Sequence, residues 1–341
     1  MKGQICLVPE LTGLGGTASF QARMIAGLQS RGIPHTFNIA NPENTAVLVI
    51  GGTRQLIKLW QAKRRGVRII QRLNGMNWIH RLEKTAPRLF LRSEVNNRIL
   101  AFIRRHLAHG IVYQSHFCHD WWNRVYGPRP IPHQVTYNGV DLQEFSPNGP
   151  ETPPEDHFRI LLVEGRLVGA YTRGLETALK LASAVRTNCG SPLELMVAGD
   201  VTDEMKARAH SLAPDLWITW RGVLPREDIP AVDRSAHVLF SADLNAACPN
   251  SVIEALACGT PVLAYDTGAL AELIQDGAGR VVPYGADHWQ LEDPLIPPLA
   301  QACVEILQDN PAYRARARAR AEAVFSLETM LAGYLNALEA A

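Results

Sequence analysis

Residues Asn245–Val262 read NAACPNSVIEALACGTPV. A short polar loop runs into an amphipathic helix, and the helix gives way at once to a buried strand. Helix followed directly by an apolar strand is the repeating joint of an α/β sheet. One acid, Glu254, stands near the start of that helix, so the stretch poses a question of chemistry as well as of fold.

The same rhythm extends outward on both sides. The later strands are RILLVE (159–164), ELMVAG (194–199), WITWRG (217–222), AHVLFS (236–241) and PVLAYD (261–266). The earlier ones are ICLV (5–8), AVLVI (46–50), VRIIQRL (67–73), GIVYQ (110–114) and QVTYN (134–138). Continuous apolar runs separated by helical stretches indicate parallel strands buried on both faces. Between the two sets lies FSPNGPETPPEDHF (145–158), rich in proline and without periodicity, which reads as an exposed linker. The expected architecture is α/β: two facing Rossmann-like, doubly wound domains with a cleft between them. Their expected bounds are 1–150 and 157–325, with a terminal helix over 326–341 packing back towards the first domain. Ligands of such sheets bind at the carboxyl ends of the strands.

At 341 residues with a hydrophobic fraction of 47%, the chain can fill two cores. Its six cysteines are scattered without a C-x-x-C pair, which reads against a zinc site or a disulfide framework and for a reducing compartment. No run of apolar residues is long enough to cross a bilayer. Glu10 and several glycines lie near the start of the chain, unlike a signal peptide. The net charge of +1 hides an asymmetry: residues 1–150 hold 19 Lys and Arg against 7 Asp and Glu, and residues 151–341 hold 15 against 26. A basic half suits an anionic partner such as a membrane surface, a lipid-linked phosphate or nucleic acid, or else a solvated face.

Several residues carry candidate chemistry. Arg166 and Arg173 flank the loop after RILLVE, where two guanidiniums can clamp a diphosphate or simply face solvent. The start of the helix after Pro249 offers backbone N–H groups to a phosphate. Ser251 and Glu254 also fit S-x-x-E, a capping box; alternatively, the carboxylate can accept both hydroxyls of a ribose. Gly15 and Gly16 sit between strand and helix, where they can let the backbone approach a phosphate or simply make a tight turn. There is no G-x-G-x-x-G with a following acid, no P-loop, no G-x-S-x-G and no H-E-x-x-H, which disfavours nicotinamide, P-loop, α/β-hydrolase and zinc-protease chemistry.

The order of these pieces resembles the retaining glycosyltransferases of family four, which have the GT-B fold. The matching segments are GRLVGAYTRG (165–174), VAGD (197–200), WRGVLPREDIP (220–230), PNSVIEALACGTPVLAYDTGALAELI (249–274) and DGAGRVVP (276–283), with GLGGTASFQARMIAGLQSRG (13–32) and YNGVDLQEFSP (137–147) in the first half. The resemblance implies that Arg166 and Arg173 serve catalysis by binding the donor diphosphate, although the family more often has Lys at the second place. It implies that Glu254 holds the nucleotide ribose, that the backbone of Asn250, Ser251 and Val252 faces phosphate, and that Gly222 and Val223 line the base pocket. Gly15 and Gly16 would let the first-domain backbone reach the diphosphate and sugar.

Two departures accompany the likeness. The family pattern has a second acid eight positions before Glu254, where this chain has Ala246; Asp243 or Asn245 could take its place only by a loop shift. Relatives also place a His near the reaction centre, where Gly51, Gly52 and Thr53 stand here, with His80 and His116 as candidate replacements. The implied activity is transfer of a sugar from a nucleotide diphosphate-sugar to an acceptor hydroxyl, with retention, without a metal and with no cofactor beyond the co-substrate. The acceptor class is a glycan or lipid-linked glycan. The alternatives are a catalytically silent nucleotide-sugar-binding subunit and a sugar transferase acting on nucleic acid, the latter less favoured for want of a basic–aromatic stacking motif. The expected location is cytoplasmic, with peripheral attachment to the inner face of the membrane. In KLWQAKRRGVR (58–68), Leu59, Trp60 and Ala62 would meet the interface while Lys58, Lys63, Arg64 and Arg65 meet anions.

Overall fold

The computed structural model describes residues 3–13, 15–82, 86–166 and 172–339; of Arg166 it describes the backbone. The chain divides into two compact units, Met1–Gly139 with Leu327–Ala341, and Val140–Ser326.

The first unit runs β1 (Gln4–Val8), α1 (Gly16–Ser30), β2 (His35–Thr36), β3 (Asn44–Ile50), α2 (Leu56–Arg64), β4 (Arg68–Leu73), α3 (Pro87–Phe102), β5 (Gly110–Tyr113), α4 (His116–Tyr126) and β6 (His133–Val135). Its strands pair in parallel in the order β2-β1-β3-β4-β5-β6. Successive residues of a strand point to opposite faces, and both faces here are apolar. Ile5, Leu7, Leu48 and Ile70 face one way, against Phe20, Met24 and Leu28 of α1. Cys6, Val8, Val47, Val49 and Ile69 face the other way, against Leu59 and Ala62 of α2. Leu59 and Ala62 are therefore core residues, which corrects the expectation that they meet an interface. Lys63 and Arg65 are tied to backbone carbonyls, Lys63 to His106 and Arg65 to Ile39 and Ala40. Ile57, 74% exposed, and Trp60, 49% exposed, are the apolar groups of α2 that face solvent.

The second unit runs β7 (Phe158–Arg166), α5 (Thr172–Cys189), β8 (Leu193–Asp200), α6 (Asp203–Leu212), β9 (Trp217–Gly222), α7 (Ile229–Arg234), β10 (Val238–Ser241), α8 (Asn250–Ala257), β11 (Val262–Tyr265), α9 (Leu270–Leu273), β12 (Gly279–Val282), α10 (Ile296–Gln308) and α11 (Asn310–Val324). Its sheet is parallel, in the order β12-β11-β10-β7-β8-β9. Ile160, Leu162, Leu195, Val197 and Phe240 pack beneath α5 and α10. The proline-rich segment lies within this unit, with Phe145 and His157 buried at its two ends. Arg318 Nη1 donates to the Phe145 carbonyl at 2.8 Å, and Arg234 Nη2 pairs with Glu151 at 3.1 Å.

The last helix, α12 (Leu327–Glu339), returns to the first unit. Met330, Leu331, Tyr334 and Leu338 enter the core that α1 covers. Tyr334 meets Phe20 with ring centroids 4.9 Å apart. A Cβ at Gly27 of α1 would overlap the Leu331 side chain, so glycine sets the closeness of the two helices. Leu331→Ala is expected to destabilise the protein by about 2–5 kcal/mol, the usual cost of emptying a buried leucine site. Urea unfolding of the two proteins side by side measures it.

Candidate functional site

In the second unit the strand order reverses between β10 and β7, and the candidate residues gather at the carboxyl ends of these strands. Helix α8 starts here. Its N-cap is Pro249, so Asn250 and Ser251 are the first helical residues and Glu254 lies in the second turn. Ser251 is thus inside the helix, and the capping box suggested by S-x-x-E does not form around it. Val252 and Ile253 turn into the core, while Glu254 stays half-exposed. The opening turn of α8 presents backbone N–H groups at this edge, the geometry that receives a phosphate.

Close to Glu254 sits Asp233 of α7, 1% exposed. Its Oδ2 is buried without a hydrogen-bond partner, and the Thr260 hydroxyl donates to its backbone carbonyl at 2.6 Å. Burial, and then the charge of Glu254, push the Asp233 carboxyl well above the ordinary range, against the pull of Arg234. A second acid pair stands at the ends of the central strands. Glu164 lies near the end of β7 and Asp243 follows β10; burial raises both carboxyls, and Asp243 raises Glu164 further. The sequence patterns do not single out Glu164 or Asp233. For Glu164 a signal exists, a carboxylate at the end of an apolar strand in LLVEGR.

The loop after β10 is tightly held. Ala269 N donates to the Ala246 carbonyl at 2.9 Å, and a Cβ at Gly268 would lie 2.5 Å from Ala246 N. Asn245 adopts a left-handed backbone with φ of 55° and is 3% exposed. Both polar atoms of its side-chain amide are buried without partners. This anchoring opposes the slide that would bring Asp243 or Asn245 into the place of Ala246.

Arg173, in the first turn of α5, donates through Nη1 to the Leu291 carbonyl at 2.9 Å and lies 3.6 Å from Asp293. The Arg166 side chain and the loop to Tyr171 fall outside the described residues. Gly222 ends β9 with φ of 67°, and Val223 beside it is 56% exposed. Both fit an open wall rather than a packed one.

In the first unit, Gly15 caps α1 in an extended conformation and Gly16 is the first helical residue; a Cβ at Gly15 would meet open space. A cavity of about 1200 Å³ opens at the ends of β1, β3 and β4, where Pro9, Ile50, Gly51, Gly52 and Asn74 line it. His80 is buried and tied to Glu94 at 2.8 Å, with Phe90 edge-on at 5.1 Å, so it is held by structure rather than presented to a ligand. His116 begins α4 and is not part of the cavity lining.

Residues 158–309 match a family model described as Glycosyl transferases group 1. The chain is 28% identical over 216 residues to a D-inositol 3-phosphate glycosyltransferase of Mycolicibacterium smegmatis, an alignment covering 60% of this chain and 47% of that protein. The chain spans about a third to a half of the length of the curated relatives it matches, from 32% to 54%. Among solved structures, HepE of Anabaena, in complex with UDP and glucose, superposes with a TM-score of 0.69 at 16% identity, covering 99% of this chain and 100% of that one. WaaG, a glycosyltransferase involved in lipopolysaccharide biosynthesis, also gives 0.69, at 14% identity, covering 99% and 100%.

The fold is GT-B. In this GT-B chain the matched segment contains α8, Glu254, Asp233 and the Glu164–Asp243 pair. Asp233 gives a pH test. Its folded-state carboxyl lies above the unfolded value, so the folded state retains the proton longer, and its contribution to stability is lost as pH rises above about 4 towards the folded value. Asp233→Asn removes that titration with little change of shape. In urea unfolding from about pH 5 to about pH 8, the variant should gain on the wild type as pH rises; a constant difference would mean that Asp233 does not hold its proton.

Proposed function

We propose that the protein is a glycosyltransferase that moves a sugar from a nucleotide diphosphate-sugar to an acceptor hydroxyl with retention of configuration. The observation that carries this reading is the placement of the α8 start and Glu254 together at the reversal of strand order in the second unit. Glu254 accepts hydrogen bonds from the ribose diol, and the first turn of α8 receives the diphosphate. Arg166 and Arg173 balance the charge that grows on the leaving diphosphate, with Arg173 exchanging the Leu291 carbonyl for phosphate oxygen. The acceptor oxygen bonds to the anomeric carbon on the face from which the diphosphate departs. Its proton passes to the leaving phosphate oxygen, so no protein nucleophile is required. Cations and amides hold the diphosphate, and the transfer needs no metal.

Glu254→Gln should weaken binding of the cognate nucleotide-sugar about tenfold, because a neutral amide accepts hydroxyl bonds less strongly than a carboxylate. Isothermal titration reads this directly, and unchanged affinity would remove Glu254 from the donor site. The rival reading, a nucleotide-sugar-binding subunit without turnover, draws on Ala246, which leaves the second family acid missing. Donor hydrolysis or sugar transfer by the purified protein rejects it.

We also place the chain on the cytoplasmic surface of an anionic membrane. Among the described residues no helix is long and apolar enough to cross a bilayer. Ile57 and Trp60 project from α2 beside Lys58 and Arg64, and the Arg64 guanidinium lies 5.1 Å from the Trp60 ring centroid. This is the composition of a peripheral docking face. Co-sedimentation with liposomes should require anionic lipid and decline as salt rises; binding indifferent to lipid charge would reject the placement.

A further inference from the structure

The cavity of the first unit has a chemistry of its own. It lies where strand order reverses between β1 and β3, the position at which open α/β sheets take ligands. One wall is a face of α3, on which Arg88, Arg92 and Asn96 recur four residues apart. Arg54, from the loop after β3, joins them. Among the described residues no carboxylate lines the cavity. Glu94, the acid of α3, is engaged elsewhere by His80 and Arg81. Among the described residues Arg54, Arg88 and Arg92 form no ion pair, and all three are exposed. Guanidiniums collected on one cavity without counter-charge repel one another, and a bound anion relieves that repulsion.

The rest of the lining suits hydroxyl groups. Gln55, Asn74, Asn77 and Asn96 supply side-chain amides, and Thr17 and Thr53 supply hydroxyls. Asn74 Oδ1 is buried without a hydrogen-bond partner, and a Cβ at Gly51 would lie 3.3 Å from it. A buried acceptor without a donor is satisfied by a ligand O–H. The volume of about 1200 Å³ admits a molecule larger than one sugar ring.

We propose that this cavity binds a polyhydroxylated acceptor bearing a phosphate or carboxylate, with Arg54, Arg88 and Arg92 on the anionic group and the amides on the hydroxyls. Calling the ligand an acceptor rests on the glycosyltransferase reading; the preference for an anionic polyol does not. Bidentate guanidinium bonds fix the anion and thereby the position of the neighbouring hydroxyls.

The test is isothermal titration of the full chain with glucose, glucose 6-phosphate and glucuronate. At least one charged probe should bind about ten or more times as tightly as glucose, and the tighter of the two identifies phosphate or carboxylate as the preferred group. Arg88→Gln and Arg92→Gln, at exposed positions, should each weaken that binding about tenfold. Glu254→Gln should leave it unchanged. Equal binding of glucose and the charged probes, wild-type affinity in both arginine variants, or loss of probe binding in Glu254→Gln would overturn the assignment, the last by locating the probe in the donor site. A panel of UDP-, GDP- and ADP-sugars titrated alongside separates the two readings. Failure to bind any of them, with charged-probe binding intact, would sink the transferase reading and leave the anion site standing. Normal nucleotide-sugar binding without charged-probe preference would sink the anion site alone.

Discussion

Parallel strands cannot be joined by a tight turn. The chain must cross back along the sheet before the next strand starts, almost always through a helix. That constraint organises both units. It puts the carboxyl ends of all the paired strands on one edge of each sheet, with the loops that leave them. It also requires helices on both faces, which explains why Ile5 and Cys6, adjacent in sequence, belong to different cores. The candidate chemistry of each unit then collects at the one place where successive loops diverge. In the second unit these are the loops after β7 and β10; in the first, the loops after β1 and β3.

The two edges differ electrostatically. The second unit brings acids together, Glu164 with Asp243 and Asp233 with Glu254, and burial raises the carboxyls of Glu164, Asp243 and Asp233 above their ordinary values. The first unit gathers arginines around a cavity that no described carboxylate lines. Charge asymmetry between the halves of the sequence is thus expressed locally, at the strand edges of the two units.

Much of the fold could be read from apolar runs. RILLVE and ELMVAG become β7 and β8, each extended by a few residues. Strand β2, His35–Thr36, and strand β12, Gly279–Val282, carry weak or short patterns and gain their strand character from a neighbour already in place. The position of Glu254 on the helix after Pro249 was legible because the pattern is local, an amphipathic run that starts after Pro249 and gives way to a buried strand. The neighbours that set its environment were not. Asp233 is distant in sequence and meets α8 only after α7 packs on it. Arg173 falls at the start of the helix after β7, where its sequence puts it, but its bond to the Leu291 carbonyl reaches across 118 positions of the chain. Ser251 misleads for a different reason: the capping pattern is satisfied by residue type, yet the helix has already begun at Asn250, after Pro249.

The return of α12 to the first unit has a consequence for biosynthesis. Tyr334 and Leu331 fill a core whose other walls are made from residues between Ile5 and Val112. A ribosome delivering the protein from its N-terminus exposes that unfinished surface for as long as it takes to make the whole second unit. At about 5–20 residues per second, the intervening stretch from Val140 to Ser326 takes on the order of ten seconds or more. During that interval the second unit can complete itself while the first waits with an apolar groove open on α1. The unit made first is therefore the one whose core closes last.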